Sequence, residues 1–159
     1  MTVAFQHIDS FVKAAYQVVQ TMVTPVIQSG RPFFNENPLQ KYEVCVLVGV
    51  LGDVQGQVIC GMSEATACNI TSRMLGYEVA TMDEMSKSAI CELKNIIIGN
   101  ASTNLSLIGL RCNITPPILL SGGTVPDFLK HIQTALAVPL DTGCGPIEMN
   151  LALRLDDKE

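Results

Sequence analysis

The chain has 159 residues, of which 48% are hydrophobic and 16% are charged, and its formal net charge at pH 7 is −5. This length and apolar content predict a single domain, residues 1–159, with a core of its own. The ten Lys and Arg residues form no cluster, which excludes the basic surface of a nucleic-acid-binding protein.

Membrane insertion and secretion are also disfavoured. The apolar runs at residues 44–51 and 96–98 fall well short of the roughly 20 residues that span a bilayer. The first residues do not show a basic stretch followed by an apolar one, as a secretory signal would. We therefore expect a cytoplasmic protein that does not insert into a membrane.

The six cysteines are widely separated and include no C-x-x-C pair, and the two histidines lie far apart. This spacing predicts neither a metal site nor a disulfide framework. Cys91 directly precedes Glu92, but its side chain points about 100° away on a helix, so core packing is preferred over a nucleophilic role. An enzyme for small molecules built on these cysteines is accordingly the weakest of the functional hypotheses.

In the first half of the chain, apolar residues at helical spacing predict a helix over residues 5–23, limited by Pro25. Two valine-rich runs, residues 42–51 and 55–62, surround a Gly-Asp-Val-Gln-Gly turn and predict a β-hairpin.

Two further helices follow in the sequence. The first covers residues 63–75, with Ser63 as N-cap and Gly76 just past its end. The second begins near Asp83, where Thr81 and Glu84 have the spacing of a capping box, and continues to about Leu110.

The last third of the chain predicts strands. Residues 111–123 are extended, and their prolines indicate an edge or irregular strand. Residues 131–140 and 147–155 alternate with a period of two, which predicts an antiparallel hairpin with one apolar and one solvated face. Each half of the chain thus contains a long helix followed by a hairpin, which is a weak internal repeat of an α/β type.

The helix that begins near Asp83 carries a narrow polar strip on an otherwise apolar surface. At about 100° per residue, six of its residues fall within an arc of about 80°. Because this is the third predicted helix, α3, these six residues are called the α3 strip below; they are Ser88, Glu92, Asn95, Gly99, Ser102 and Ser106. An apolar helix is a buried helix, so a small and polar strip indicates a face that contacts something other than the core.

Glu92 and Asn95 are the largest functional groups of this strip and lie one turn apart. Ser88, Gly99 and Ser102 are small neighbours that leave room for another protein to approach. The simpler interpretation is a solvated helix face with no function.

Outside the strip, Lys94 is interpreted as a solvated lysine at the edge of the helix. Asn100 and Asn104 lie on the apolar side and are expected to satisfy backbone groups.

The stretch Glu92-Leu-Lys-Asn95-Ile-Ile-Ile-Gly99-Asn100, within this order of elements, resembles the CheC/CheX/FliY phosphatases of bacterial chemotaxis. The resemblance covers nearly the whole chain, including the Gly-Asp-Val-Gln-Gly-Gln-Val hairpin and the final Gly-Pro-Ile-Glu-Met-Asn-Leu-Ala-Leu strand. CheC-type members carry the acid and amide motif twice. The first helix here contains no glutamate and no asparagine, so the chain is most similar to CheX.

The resemblance implies a CheC-like fold, with two long helices on a mainly antiparallel sheet and a pseudo-two-fold internal repeat. It also implies hydrolysis of the phospho-aspartate of a CheY-like receiver domain, and a homodimer joined through its sheets. By position, Glu92 and Asn95 are the catalytic pair, and Gly99 and Asn100 support the motif. No cofactor is expected on this chain, because the receiver brings its own Mg²⁺ and lysine.

Under this hypothesis Asn95 orients the attacking water, since a carboxamide both accepts and donates hydrogen bonds. Glu92 anchors the complex by pairing with the receiver's lysine. The alternative from another class is a non-catalytic adaptor that binds a receiver or a flagellar-switch protein through the same helix face.

Overall fold

The computed structural model describes residues 5–25, 27–36, 38, 42–121 and 134–156. These residues form three helices and eight strands. The helices are α1 (Phe5–Met22), α2 (Glu64–Leu75) and α3 (Glu84–Leu107). The strands are β1 (Ile27–Ser29), β2 (Phe33–Glu36), β3 (Val44–Gly52), β4 (Val54–Met62), β5 (Cys112–Ile114), β6 (Ile118–Ser121), β7 (Thr134–Thr142) and β8 (Gly145–Leu155).

All eight strands pair antiparallel in one sheet, in the order β1-β7-β8-β4-β3-β5, with β2 also beside β7 and β6 beside β3. The centre of the sheet is the β4–β8 pair, whose register runs from Val54 opposite Leu155 to Met62 opposite Ile147. Both predicted hairpins are confirmed as the β3–β4 and β7–β8 pairs.

The predicted internal repeat is visible in this strand order. The β3–β4 hairpin of the first half is bordered by β5 and β6 from the second half. The β7–β8 hairpin of the second half is bordered by β1 and β2 from the first half. Exchanging the two halves reproduces the same order, with a pseudo-two-fold axis between β4 and β8. Each half thus completes the sheet of the other.

All three helices pack on one face of the sheet. The main core forms where their apolar sides meet alternate residues of the strands, as the period of two requires. Val46 and Val48 of β3 and Met149 of β8 point into this core. The prediction that Ile147, Met149 and Leu151 lie on the core side of the last strand is confirmed.

The opposite face of the final hairpin is exposed at its end, at Arg154, but buried at its centre, so the prediction of a solvated face is wrong there. Glu148 and Asn150 are buried there. Asn35 Nδ2 donates hydrogen bonds to Glu148 Oε1 at 2.8 Å and to Asn150 Oδ1 at 2.9 Å. The Tyr42 hydroxyl donates to Glu148 Oε2, and burial together with this carboxylate raises the pKa of Tyr42 well above its usual range. Burial is tolerated because the polar groups satisfy one another.

The strands of the final hairpin are also not edges of the sheet. β8 lies between β7 and β4, and the outer side of β7 is covered by β1 and β2. The sheet instead ends at β1 and β2 on one side and at β5 and β6 on the other. The extended segment after α3 is confirmed as edge strands at residues 112–114 and 118–121. Residues 122–123 of this segment and residues 131–133 of the predicted hairpin lie outside the described residues.

The helix ends show which local signals were correct. Ser63 caps α2, since its side chain accepts a hydrogen bond from the Thr66 backbone N–H, and Gly76 ends it in the left-handed region at φ 78°. The capping box at Thr81 and Glu84 is wrong. Asp83 caps α3, because its carboxylate accepts from both the backbone N–H and the hydroxyl of Ser86, at 2.8 and 2.7 Å.

Helix α3 ends at Leu107, three residues earlier than predicted. The chain turns at Gly109, which adopts φ 89°. Among the described residues, no helix is long and apolar enough to cross a membrane.

Lys94 is buried at the centre of the core-facing side of α3, so its interpretation as a solvated edge residue is wrong. Its exposed fraction is 1%, and its Nζ has no hydrogen-bond partner among the described residues. Its neighbours on that side, Ile90, Ile97 and Ile98, are equally buried. Burial raises the pKa of the Cys60 thiol on β4, and the charge of Lys94 acts against that rise, which places the lysine head group near Cys60.

Replacing Lys94 by Met should stabilise the protein. The substitution keeps an unbranched side chain and removes an amine that is buried without a partner. We expect the free energy of unfolding to rise by about 1–4 kcal/mol, measured by urea denaturation. The control is Lys87→Met on the same helix, where a partly exposed pair with Glu84 at 3.6 Å is lost and stability should change by less than about 0.5 kcal/mol. A loss of stability in Lys94→Met would show that the amine has a stabilising partner.

Candidate functional site on α3

The position of α3 is fixed by contacts on two sides. Toward α1, Asn104 Nδ2 donates a hydrogen bond to the Ser10 carbonyl at 3.2 Å. This confirms that Asn104 satisfies a backbone group. Toward β5, Ser102 Oγ donates to the Cys112 carbonyl at 3.0 Å. Together with the buried apolar side, these contacts fix the rotation of the helix about its axis, so the direction of the α3 strip is fixed as well.

Glu92 and Asn95 lie on the outer side of α3, one turn apart, as their spacing requires. Glu92 is exposed and Asn95 is half-buried. Within the part of the chain that the structure describes, neither side chain has a hydrogen-bond or ion-pair partner. A carboxylate and a carboxamide are therefore held by a rigid helix with their polar atoms available to another molecule.

The other members of the α3 strip differ in their surroundings. Ser88 and Ser106 are exposed, and Ser106 Oγ donates to the Thr103 carbonyl at 2.7 Å. Ser102 is half-buried, and its hydroxyl donates a hydrogen bond to the Cys112 carbonyl on β5. Gly99 is half-buried, and a Cβ built on it would meet only Ile114 Cδ1, at 4.0 Å. The N-terminal part of the strip is therefore the more open one.

Asn100, which follows Gly99, is exposed on α3 and lies outside the strip, so the expectation that it lies on the apolar side is wrong. A role of Asn100 in supporting the motif stays a prediction, as do the roles assigned to the other motif residues.

Two exposed apolar side chains extend this open part of the strip, and sequence reasoning missed them. Tyr77 lies before α3 and Met85 in its first turn, with exposed fractions of 52% and 59%. The Tyr77 hydroxyl donates to Met85 Sδ at 3.2 Å. The helical spacing alone would have predicted that Met85 lies beside the strip. The contact with Tyr77 depends on the fold of the preceding loop, which the spacing does not predict.

The cysteines supply no nucleophile to this site. All six are free, and burial raises the pKa of each thiol above its usual range; that of Cys45 rises to about 11. A raised pKa keeps a thiol protonated and unreactive near neutral pH. Cys91 is half-buried and packs against the core, as predicted. Among the described residues, no group of His, Cys, Asp or Glu is arranged to hold a metal ion.

Comparison with known proteins places this arrangement in a class. A pseudo-two-fold antiparallel sheet covered on one face by helices is the CheC-like architecture. The family model for chemotaxis phosphatase CheX matches residues 44–140, which is well over half of the chain and includes α3. The chain belongs to the CheX family.

Individual relatives agree with this membership. A Thermotoga maritima protein named CheY-P phosphatase CheX is 27% identical over 134 residues, covering 84% of this chain and 85% of that protein. A CheC-like superfamily protein from Shewanella has the same fold, with a TM-score of 0.82, 23% identity and coverage of 96% and 99% of the two chains. A chain of the CheX–CheY–BeF3–Mg²⁺ complex from Borrelia burgdorferi has a TM-score of 0.75 at 29% identity, covering 93% and 97%.

Proposed function

We propose that this chain is a phosphatase that hydrolyses the phospho-aspartate of a CheY-like receiver domain, in the cytoplasm, and so ends a chemotactic or other two-component signal. The observation that carries the proposal is the acid and amide pair, which α3 presents on its outer side without partners in the described chain. Family membership and the name of the Thermotoga relative support the substrate class.

Asn95 is proposed to orient the attacking water. An acyl phosphate is already reactive, so the phosphatase needs to add little beyond placing a water in line with the scissile bond. A carboxamide fixes both distance and direction, since it accepts through its oxygen and donates through its nitrogen. Glutamine orients water in the same way in GTPases. The half-buried position of Asn95 limits the orientations of its side chain, which suits this role.

Glu92 is proposed to anchor the receiver. It is more exposed than Asn95 and lies one turn before it, at the rim of the site. A carboxylate there can pair with the receiver's lysine when the two proteins meet. Such a pair fixes the register of a complex more than it adds affinity.

The divalent ion of the reaction is proposed to come with the receiver. The Borrelia complex contains Mg²⁺ together with CheY and BeF3. Mg²⁺ is usually held by carboxylates together with substrate phosphate oxygens, and the phospho-aspartate pocket of a receiver offers both.

A titration calorimetry experiment tests this source of the metal. The isolated protein should show no stoichiometric binding of MgCl₂ or ZnCl₂ at micromolar concentration. Chelation of Mg²⁺ should abolish receiver dephosphorylation, and restoring Mg²⁺ should recover it. One tightly held ion per chain would mean that the metal site lies on this protein.

Alanine substitutions separate the two proposed roles. Asn95→Ala removes the water-orienting amide and leaves the interface nearly intact, so turnover should fall by about 10²-fold or more with little loss of binding. Glu92→Ala removes the anchor, so binding and turnover should both weaken. The measurement is loss of phosphate from the receiver at saturating and subsaturating enzyme, with binding followed separately.

Controls make this comparison specific. Both residues lie outside the core, so each variant should unfold with a free energy within about 1 kcal/mol of the wild type. Glu64→Ala removes an exposed carboxylate at the start of α2 and should leave activity unchanged. Full activity in Asn95→Ala would refute the role of Asn95 in orienting water. Full activity in both variants would mean that the α3 strip is a solvated helix face with no function. An adaptor would shift receiver binding without accelerating phosphate loss when present in substoichiometric amounts.

We further propose that the protein is a C₂ homodimer joined at sheet edges, which leaves both α3 strips free. The edge formed by β1 and β2 is the better candidate, since Phe34 on β2 has an exposed fraction of 83%. An unpaired edge strand with exposed apolar side chains is a template for pairing with another chain.

Sedimentation tests the dimer. At micromolar concentration the wild type should have a mass near twice 17.1 kDa. Phe34→Glu places a charge in the proposed interface and should yield the monomer, whereas Leu107→Glu, at an equally exposed position on α3, should remain dimeric. A wild-type monomer would refute the dimer and leave the proposed catalytic pair unaffected.

A further inference from the structure

We infer that the receiver covers a footprint on α3 that begins at the Tyr77–Met85 contact, includes Glu92 and Asn95, and ends at Gly99. This inference rests on the proposed function, because it takes the phosphorylated receiver domain as the partner. It adds the residues that set affinity for that partner, which the acid and amide pair does not supply.

Met85, Glu92 and Gly99 form one line along the outer side of α3. They recur every seven residues, and each step rotates the line by only about 20°. At 1.5 Å per residue the line is about 21 Å long. That length matches the extent of a contact that buries about 800 Å² on one partner. A protein docked on Glu92 and Asn95 therefore covers both ends of the line.

The N-terminal end of the footprint is apolar and already ordered. Tyr77 and Met85 each expose more than half of their side chains, and the hydroxyl–sulfur hydrogen bond holds them together before a partner arrives. Tyrosine in particular is enriched among the residues that dominate interface energetics. Glu78, next to Tyr77 in the sequence, is exposed, whereas Glu84 is paired with Lys87 at 3.6 Å. The carboxylates of Glu78 and Glu92 favour a partner that is apolar at its centre and basic at its rim, as expected of a docking face that contains the receiver's lysine.

The C-terminal end of the footprint is a glycine that the described chain does not require. Gly99 lies inside a helix, where glycine is less favourable than alanine. It has no left-handed backbone conformation, and a Cβ there would make only an ordinary contact with Ile114, at 4.0 Å. Gly99 therefore destabilises the helix, although no contact within the described chain requires a glycine there. Its position, four residues after Asn95, fits a point where the partner approaches the helix backbone closely.

The far end of α3 is not part of this footprint. Leu107 and Ile108 are exposed, but Leu107 is rotated by about 120° from Asn95 about the helix axis. Ser102 and Ser106, which lie between, donate their hydroxyl hydrogens within the chain. Leu107 is thus exposed and apolar, and its distance from Asn95 along the helix axis is comparable to that of Met85. It serves as a matched control for Met85.

The experiment measures binding of each variant to a CheY-like receiver loaded with beryllofluoride and Mg²⁺, and phosphate release from the phosphorylated receiver. Tyr77→Ala and Met85→Ala should each raise Kd by about 5- to 30-fold with kcat nearly unchanged. Gly99→Ala should raise Tm by about 1–4 °C and yet raise Kd about tenfold, because the added methyl group collides with the partner. Leu107→Ala should leave Kd and kcat unchanged.

The opposite signs for Gly99→Ala distinguish a binding role from a structural one. If Gly99→Ala lowers Tm, the glycine is required by the fold and the close approach is refuted. If the wild type binds and dephosphorylates the receiver but the Tyr77, Met85 and Gly99 variants bind as it does, the footprint alone is overturned. If the wild type neither binds nor dephosphorylates any receiver of the host, the proposed function fails and the footprint fails with it.

Discussion

The structure depends on one constraint, which is that a single helix of 24 residues must bury one side in the core and leave the other side uncovered. Helix α3 meets this constraint by packing against the sheet, against α1 and against β5, with hydrogen bonds from Asn104 and Ser102 fixing it on two sides. Glu92 and Asn95 lie on the side that remains uncovered, together with other exposed residues such as Thr103. Burial of apolar surface is the dominant favourable term in folding. Because the apolar side of α3 is buried, Glu92 and Asn95 on its other side point toward solvent.

The internal repeat gives the chain two equivalent long helices, of which only one carries the acid and amide pair. The strand order is unchanged when the two halves are exchanged, and α1 occupies the place that corresponds to α3. Helix α1 contains neither glutamate nor asparagine, so only the second half carries the polar pair. The first half keeps the packing role of its helix and supplies β1 and β2 to the sheet.

Local signals in the sequence predicted most of the fold and the centre of the site. The caps Ser63 and Gly76, the hairpins and the outward direction of Glu92 and Asn95 all follow from spacing within one element. Features that depend on distant partners were missed. Glu148 alternates like a solvated residue, but Asn35, 113 residues away, satisfies it in the interior. Lysine is a residue type typical of protein surfaces, yet Lys94 is buried because it lies among isoleucines on the core-facing side of α3.

Asn95 is proposed to contribute to chemistry and not to recognition. This role is tested by the rate of phosphate loss from a receiver that is fully bound by the Asn95→Ala variant, compared with the receiver alone and with the receiver bound by wild type. If Asn95 orients the attacking water, the variant forms a saturable complex in which the receiver loses phosphate at close to its own unassisted rate. A saturated complex that loses phosphate as fast as the wild-type complex would contradict it.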